Sequence, residues 1–286
     1  MKRDRDNFRH GNRTVKPRRV SKRASSRNTN DSSGEGRGTP SAPREILAVD
    51  IGGSKIKILA TGQTEPRKAA SGNKLTPMKM VQVVQELAKD WDYKAVSIGY
   101  PGLVGDNGPR SEPGNLGSGW VGFNFAAALA LPVRIVNDAA MQALGSYEGG
   151  RMLFLGLGTG LGSSLIAENV IVPLELGQLK YDGKDSFVDR VGKAGLRRQG
   201  KKAWRRAVTE IASILAGVLL ADDVVLGGGN AKQLGALPHG MRVGDNLTAF
   251  RGGFRLWRLE DIRTHSVEGE HHAANLTART DKWRVI

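Results

Sequence analysis

The chain has 286 residues and a formal net charge of +15, with 38 glycines and no cysteine. At roughly 150 residues per domain that is about two domains, and the missing cysteine excludes disulfides, thiolate metal sites and cysteine nucleophiles together. Glycine shows no Gly-X-Y period, which excludes collagen, and no apolar run reaches the roughly 18–20 residues of a membrane span. No apolar stretch follows the basic first residues as a secretory signal requires, so the expectation is a soluble, cytoplasmic protein without membrane contact.

The charge sits in two places. Residues 1–44 carry 13 Lys/Arg against 4 Asp/Glu, and residues 180–206 carry 10 against 3. The rest of the chain is close to neutral. The first stretch has almost no large apolar residue and cannot bury enough surface to offset its chain entropy, so a disordered basic tail is expected over 1–44. It reads either as a loose arm for nucleic acid or another polyanion, or as a solubilising tail with no specific partner.

The body opens with Glu45–Val49, a buried strand, then Asp50-Ile-Gly-Gly-Ser54 as a tight turn and Lys55–Leu59 as a returning strand with Ile56 and Ile58 alternating with lysines. Thr76-Pro77 caps and starts a helix whose Met80, Val84, Leu87 and Trp91 form a core-facing stripe. Strands follow at Ala95–Ile98 and Val133–Val136, with a short helix at Phe125–Leu129 between them. The second half repeats the pattern: a strand at Met152–Leu155, a glycine turn over Gly156–Gly162, a returning strand at Ser163–Ile166, a helix over about Lys201–Leu220 and a strand at Val224–Leu226. The helix carries Trp204, Val208, Ile211 and Leu215 on one face. Strand–turn–strand units in both halves, interleaved with helices, predict two related α/β lobes with a cleft between, over residues 45–137 and 138–263. Residues 264–286 turn polar and histidine-rich and are expected to be poorly ordered.

Three glycine clusters each follow a strand: Gly52, Gly53 and Ser54; Gly158, Thr159, Gly160 and Gly162; and Gly227, Gly228 and Gly229. Such turns either simply reverse the chain or present successive N–H groups to a phosphate. The first and third do not fit a Rossmann fingerprint, and no P-loop sequence is present. Asp50, opening the first turn, could hold a metal-bound water near the phosphates. Asn137-Asp138 follows a strand and heads a helix, which suits an N-cap and equally suits a general base at the carboxyl end of a strand. Residues 180–206 are either a solvated face or a track for a polyanion.

The ordered set Asp50-Ile-Gly-Gly-Ser54, Ile98-Gly-Tyr-Pro-Gly102, Asn115…Trp120, Asn137-Asp138-Ala139, Gly158–Gly162, Glu175-Leu-Gly-Gln178 and Gly227–Gly229 resembles the ROK sugar-kinase family over about residues 45–235. Within it, Gly156–Ser164, Pro173–Gly177 and the basic stretch Gly183–Trp204 look most like the polyphosphate glucokinases. The resemblance implies an α/β, two-lobed actin-like ATPase (ribonuclease H-like) fold with a central cleft. It implies phosphoryl transfer from polyphosphate and/or ATP to the 6-hydroxyl of glucose, with Mg²⁺, in a homodimer. It implies Asp138 as catalytic base, and Asn115, Asn137, Glu175 and Gln178 at the sugar. Asp50, Gly52–Ser54, Gly158–Gly162 and Gly227–Gly229 would lie at the phosphates, with Asp50 toward the metal. Lys201, Lys202, Arg205 and Arg206 would contact polyphosphate. An ATP-dependent hexose kinase and a catalytically weakened sugar- or polyanion-binding relative are the alternatives. Where the family has a histidine, position 178 is glutamine, which hydrogen-bonds but carries no charge. Residues 1–44 cannot form the winged helix-turn-helix of a ROK repressor.

Overall fold

The computed structural model describes residues 45–245 and 247–258 and the backbone of 284–285. The basic tail over 1–44 and most of the polar end over 264–286 lie outside the described residues.

In chain order the first half contains β1 (Ile46–Ile51), β2 (Lys55–Ala60), β3 (Arg67–Ala70), α1 (Pro77–Leu87), β4 (Ala95–Tyr100), a short hairpin of β5 (Val104–Gly105) and β6 (Gly108–Pro109), α2 (Phe125–Leu129), β7 (Val133–Asn137) and α3 (Asp138–Ser146). The second contains β8 (Met152–Leu157), β9 (Leu161–Ala167), β10 (Val170–Leu174), α4 (Phe187–Val191), α5 (Lys193–Leu219), β11 (Asp223–Gly227), β12 (Met241–Val243), α6 (Thr248–Arg255) and β13 (Arg284–Val285).

The strands form two sheets of the same design. In the first, ordered β3-β2-β1-β4-β7, the β1–β2–β3 meander is antiparallel while β4 and β7 run parallel to β1. In the second, ordered β12-β11-β8-β9-β10-β13, β8–β9–β10 is the antiparallel meander and β11 and β12 run parallel to β8 and to one another. Each glycine turn between the first two strands of a meander thus lies at the corresponding end of its sheet's strands. β13 pairs with β10 in parallel.

Alternation assigns the faces. Leu47, Val49, Ile51, Ile56 and Ile58 pack with α1 and α2 residues such as Met80, Val84 and Phe125, while Ala48 and Leu59 on the opposite face meet Phe250 of α6. Thr76 caps α1, its Oγ1 accepting the Lys79 N–H at 3.4 Å ahead of Pro77. Trp204, Val208, Ile211 and Leu215 of α5 are all buried against β8 and β11.

α3 and α6 lie between the sheets. They cross at two glycines: a Cβ on Gly145 would overlap the Thr248 carbonyl, and one on Gly252 the Met141 carbonyl. α6 then lies on the first sheet, where Ser97 Oγ of β4 donates to the Gly253 carbonyl at 2.6 Å and Trp257 Nε1 donates to Ser97 Oγ at 2.9 Å. So after β12 the polypeptide returns to its first sheet.

Two expectations change in detail. The long helix begins at Lys193 rather than near Lys201, but Gly200 breaks it with φ +76° and ψ 165°, so its second segment matches the expected one. That backbone region is essentially confined to glycine. β3, β10, α4 and α6 had no clear periodic signal, since each is short and only partly buried or glycine-interrupted.

Candidate active site

Asp50 is the penultimate residue of β1, Asn137 ends β7, and Asp138 begins α3; all three face one cavity of about 370 Å³. Asp50 is 5% exposed, and its Oδ2 accepts from Lys57 Nζ at 2.7 Å. The pairing is built in: Asp50 and Lys57 are cross-strand partners of the β1–β2 hairpin, so both project to one face.

Asp138 Oδ1 accepts the Ala139 N–H at 2.8 Å. Burial pushes its carboxyl up to about 7, the negative charge of Asp50 adds to the rise, the Ala139 N–H opposes it, and Glu175 contributes a smaller upward push. A carboxylate in that range holds a proton or releases it at ordinary pH. The N-cap belongs to Asn137, not Asp138: Asn137 Oδ1 accepts from the Ala139 and Ala140 N–H groups at 3.0 and 3.2 Å. Its Nδ2 donates to the Gly102 carbonyl at 3.2 Å, which leaves only its second amide hydrogen for a ligand.

Asn115 reaches the cavity directly behind the first glycine turn; a Cβ on Gly53 would collide with its side-chain amide. Among the described residues the N–H groups of Gly53, Ser54, Thr159 and Gly160 have no hydrogen-bond partner. These are the free donors an anion-binding turn needs. The second turn is braced from outside: the Gly158 carbonyl accepts from Asn230 Nδ2 at 3.0 Å and from the Lys193 N–H at 3.1 Å.

Glu175 precedes and Gln178 ends a short 3-10 turn over Leu176–Gln178, and both reach the cavity from the far side. Ser163 sets that turn, donating to the Leu174 carbonyl at 2.8 Å and accepting the Leu176 N–H at 3.1 Å, on either side of Glu175. Gly228 and Gly229 complete the wall.

Among the expected site residues, Asp50, Gly52, Gly53, Asn115, Asn137, Asp138, Gly158–Gly162, Glu175, Gln178, Gly228 and Gly229 therefore share one cavity. Ser54 and Gly227 stand just off its wall. Lys201, Lys202, Arg205 and Arg206 do not line it either. Arg205 is committed elsewhere, with Nε donating to the Gln233 carbonyl at 2.5 Å and Nη2 to that of Leu234 at 3.4 Å. Lys57 and Gln142 also line the cavity, and the motifs did not mark them. The seven-residue step from Asp50 to Lys57 across a tight turn was the available signal for Lys57. Gln142 lies one helical turn beyond Asp138 and shares its face.

Two antiparallel-then-parallel sheets with paired glycine turns around an acidic cleft define a mixed α/β fold of the actin-like ATPase type, the fold of the ROK sugar kinases. Among solved structures, the inorganic polyphosphate/ATP-glucomannokinase from Arthrobacter sp. strain KM has a TM-score of 0.62 and 21% identity, covering 74% of this chain and 98% of that one. A ROK family glucokinase from Streptomyces griseus, in complex with glucose and AMPPNP, has a TM-score of 0.61 and 18% identity, covering 74% and 98%. In sequence, a polyphosphate glucokinase from Mycobacterium leprae is 26% identical over 219 residues, 68% of this chain and 66% of that protein, so the match spans just under two-thirds of the relative's length. No family model matches the chain. The chain is related to the ROK sugar kinases, with polyphosphate glucokinases among its relatives.

Proposed function

We propose that the chain is a sugar kinase that transfers a phosphoryl group from polyphosphate or ATP to the 6-hydroxyl of glucose, with Asp138 as general base. The observation that carries this reading is a carboxyl tuned to about 7, facing the same cavity as two turns with free N–H groups. In phosphoryl transfer the protein mainly positions the nucleophile and neutralises charge on the donor. Asn115, Glu175 and Gln178 hold the sugar so that its hydroxyl faces Asp138. The hydroxyl proton passes to the Asp138 carboxylate, the sugar oxygen forms a bond to the terminal phosphorus, and the bridging P–O bond breaks. The remaining phosphate chain leaves one unit shorter, its charge met by the N–H groups of the glycine turns.

Among the described residues no three acidic or histidine side chains form a metal-binding group. A single carboxylate, Asp50, beside the glycine turns fits Mg²⁺, which is commonly held through one or two carboxylates together with substrate phosphates. Asp50 would hold it, since Lys57 takes one carboxylate oxygen and, among the described residues, the other accepts no hydrogen bond. Bound there, the ion would supply charge neutralisation across the donor phosphates.

The test is a glucose-phosphorylation assay on the purified full chain with polyphosphate and ATP supplied separately, with and without Mg²⁺. Product with either donor supports the reading; no product with any hexose and either donor overturns it. ATP alone would select the ATP-dependent reading, and sugar binding without turnover the weakened relative.

A further inference from the structure

We infer that the phosphate chain of the donor is received on the cleft-side face of the β2–β3 hairpin, by Lys57, Lys55 and Lys68. This rests on the kinase reading above and adds the location of the donor's binding track. Strand parity places the three together. Lys55 and Lys57 are two residues apart on β2 and so share a face, and Lys68 of β3 is the direct cross-strand partner of Lys57. That face is the one that carries Asp50, because Lys57 pairs with Asp50 on its other side. A row of Asp50, Lys57 and Lys68 therefore runs outward across three strands from the cavity, with Lys55 beside the first glycine turn.

The charges in this row do not balance. Like charges directly opposite one another across strands are destabilising, and Lys57 and Lys68 are so placed. Asp50 answers Lys57, but among the described residues neither Lys55 nor Lys68 has an ion-pair partner. Both are exposed, whereas Lys57 is about half-covered at 40% side-chain exposure and lines the cavity. The free N–H groups of Gly53 and Ser54 stand at the same end of the hairpin. Uncompensated lysines leading from free amides at the site of transfer match a linear polyanion that enters the cleft by its terminal phosphate. The patch on α5 lies off the cavity wall, and one of its four cations is bound to main-chain carbonyls.

Titration calorimetry of the full chain with tripolyphosphate and with long-chain polyphosphate tests this. Lys55→Ala/Lys68→Ala should weaken long-chain binding by roughly tenfold or more, taking about fivefold per lysine facing an anionic surface. The log–log salt slope should flatten by roughly 0.7–0.9 per lysine removed, with nucleic acid as the guide. Lys57→Met should weaken both ligands, and glucose affinity should hold in every variant. Lys201→Ala/Lys202→Ala/Arg206→Ala should bind long chains like the parent. Melting curves report that each variant is folded. Unchanged long-chain affinity in the hairpin variant overturns the inference. A parent that phosphorylates glucose from ATP but binds no polyphosphate overturns it while the kinase reading stands. A parent that binds neither phosphate chain nor ATP overturns both.

Discussion

Asp138 shows how one side chain is set for its task by its neighbours. Its ionised form is disfavoured by burial and by the charges of Asp50 and Glu175. A base must be ionised to act, so kcat/KM for glucose should rise with pH to a plateau, with an apparent midpoint near 7 in the free enzyme. Asp138→Asn should lower kcat by about 10²–10⁴-fold and leave glucose affinity nearly unchanged. A folded Asp138→Asn protein that turns over within a few-fold of the parent removes the assignment. The same shift predicts an effect on stability. The folded-state pKa lies above the unfolded value, so between roughly 4 and 7 the native state holds a proton that the unfolded chain has released. Stability is therefore lost as pH rises through that window. Asp138→Asn should melt above the parent at pH 8, and the difference should vanish near pH 4, as scanning calorimetry would record. The cap role belongs to its neighbour: Asn137→Ala should cost on the order of 1 kcal/mol by removing the acceptor for two N–H groups.

Among the elements, the α3–α6 crossing has the least tolerance. Gly145 and Gly252 let the two backbones touch, α3 carries Asp138, and α6 holds the first sheet through Ser97. Gly252→Ala should separate the helices and lower both the melting temperature and kcat, whereas Gly217→Ala on the open side of α5 should preserve both. The Gly-interrupted sequence of α6 gave little sign of this, because the reason for its glycines lies in a partner helix about a hundred residues away. The first two strands of each meander and α1 were legible because alternation, Thr76-Pro77 and the apolar stripe are local signals. Most of the cavity was legible for a related reason: glycine turns and carboxylates sit at strand ends, where the chain itself marks them. Lys57 was not, since a lysine alternating with isoleucines reads as a solvent-facing strand position until the opposite strand supplies Asp50.

For the molecule as a whole, the two meanders with parallel additions place one glycine turn from each sheet on either side of the cleft. Among the described residues no helix is long and apolar enough to cross a membrane. A ligand that binds only the folded state stabilises it by mass action, by about 2.7 kcal/mol at a hundredfold excess over Kd. For a chain of this size that is a rise in melting temperature of several degrees, at roughly 2–4 °C per kcal/mol. Glucose should produce such a rise in the parent and in Asp138→Asn alike, and Glu175→Ala should reduce it. A rise that persists in Glu175→Ala would place the sugar elsewhere.

The helix crossing also bears on how the gene can drift. Every missense change of a single base in a glycine codon introduces a Cβ, and at Gly145 and Gly252 any Cβ meets a main-chain carbonyl of the facing helix. A carbonyl cannot be exchanged by mutation, so no second substitution restores the fit. These two codons should accept only silent changes.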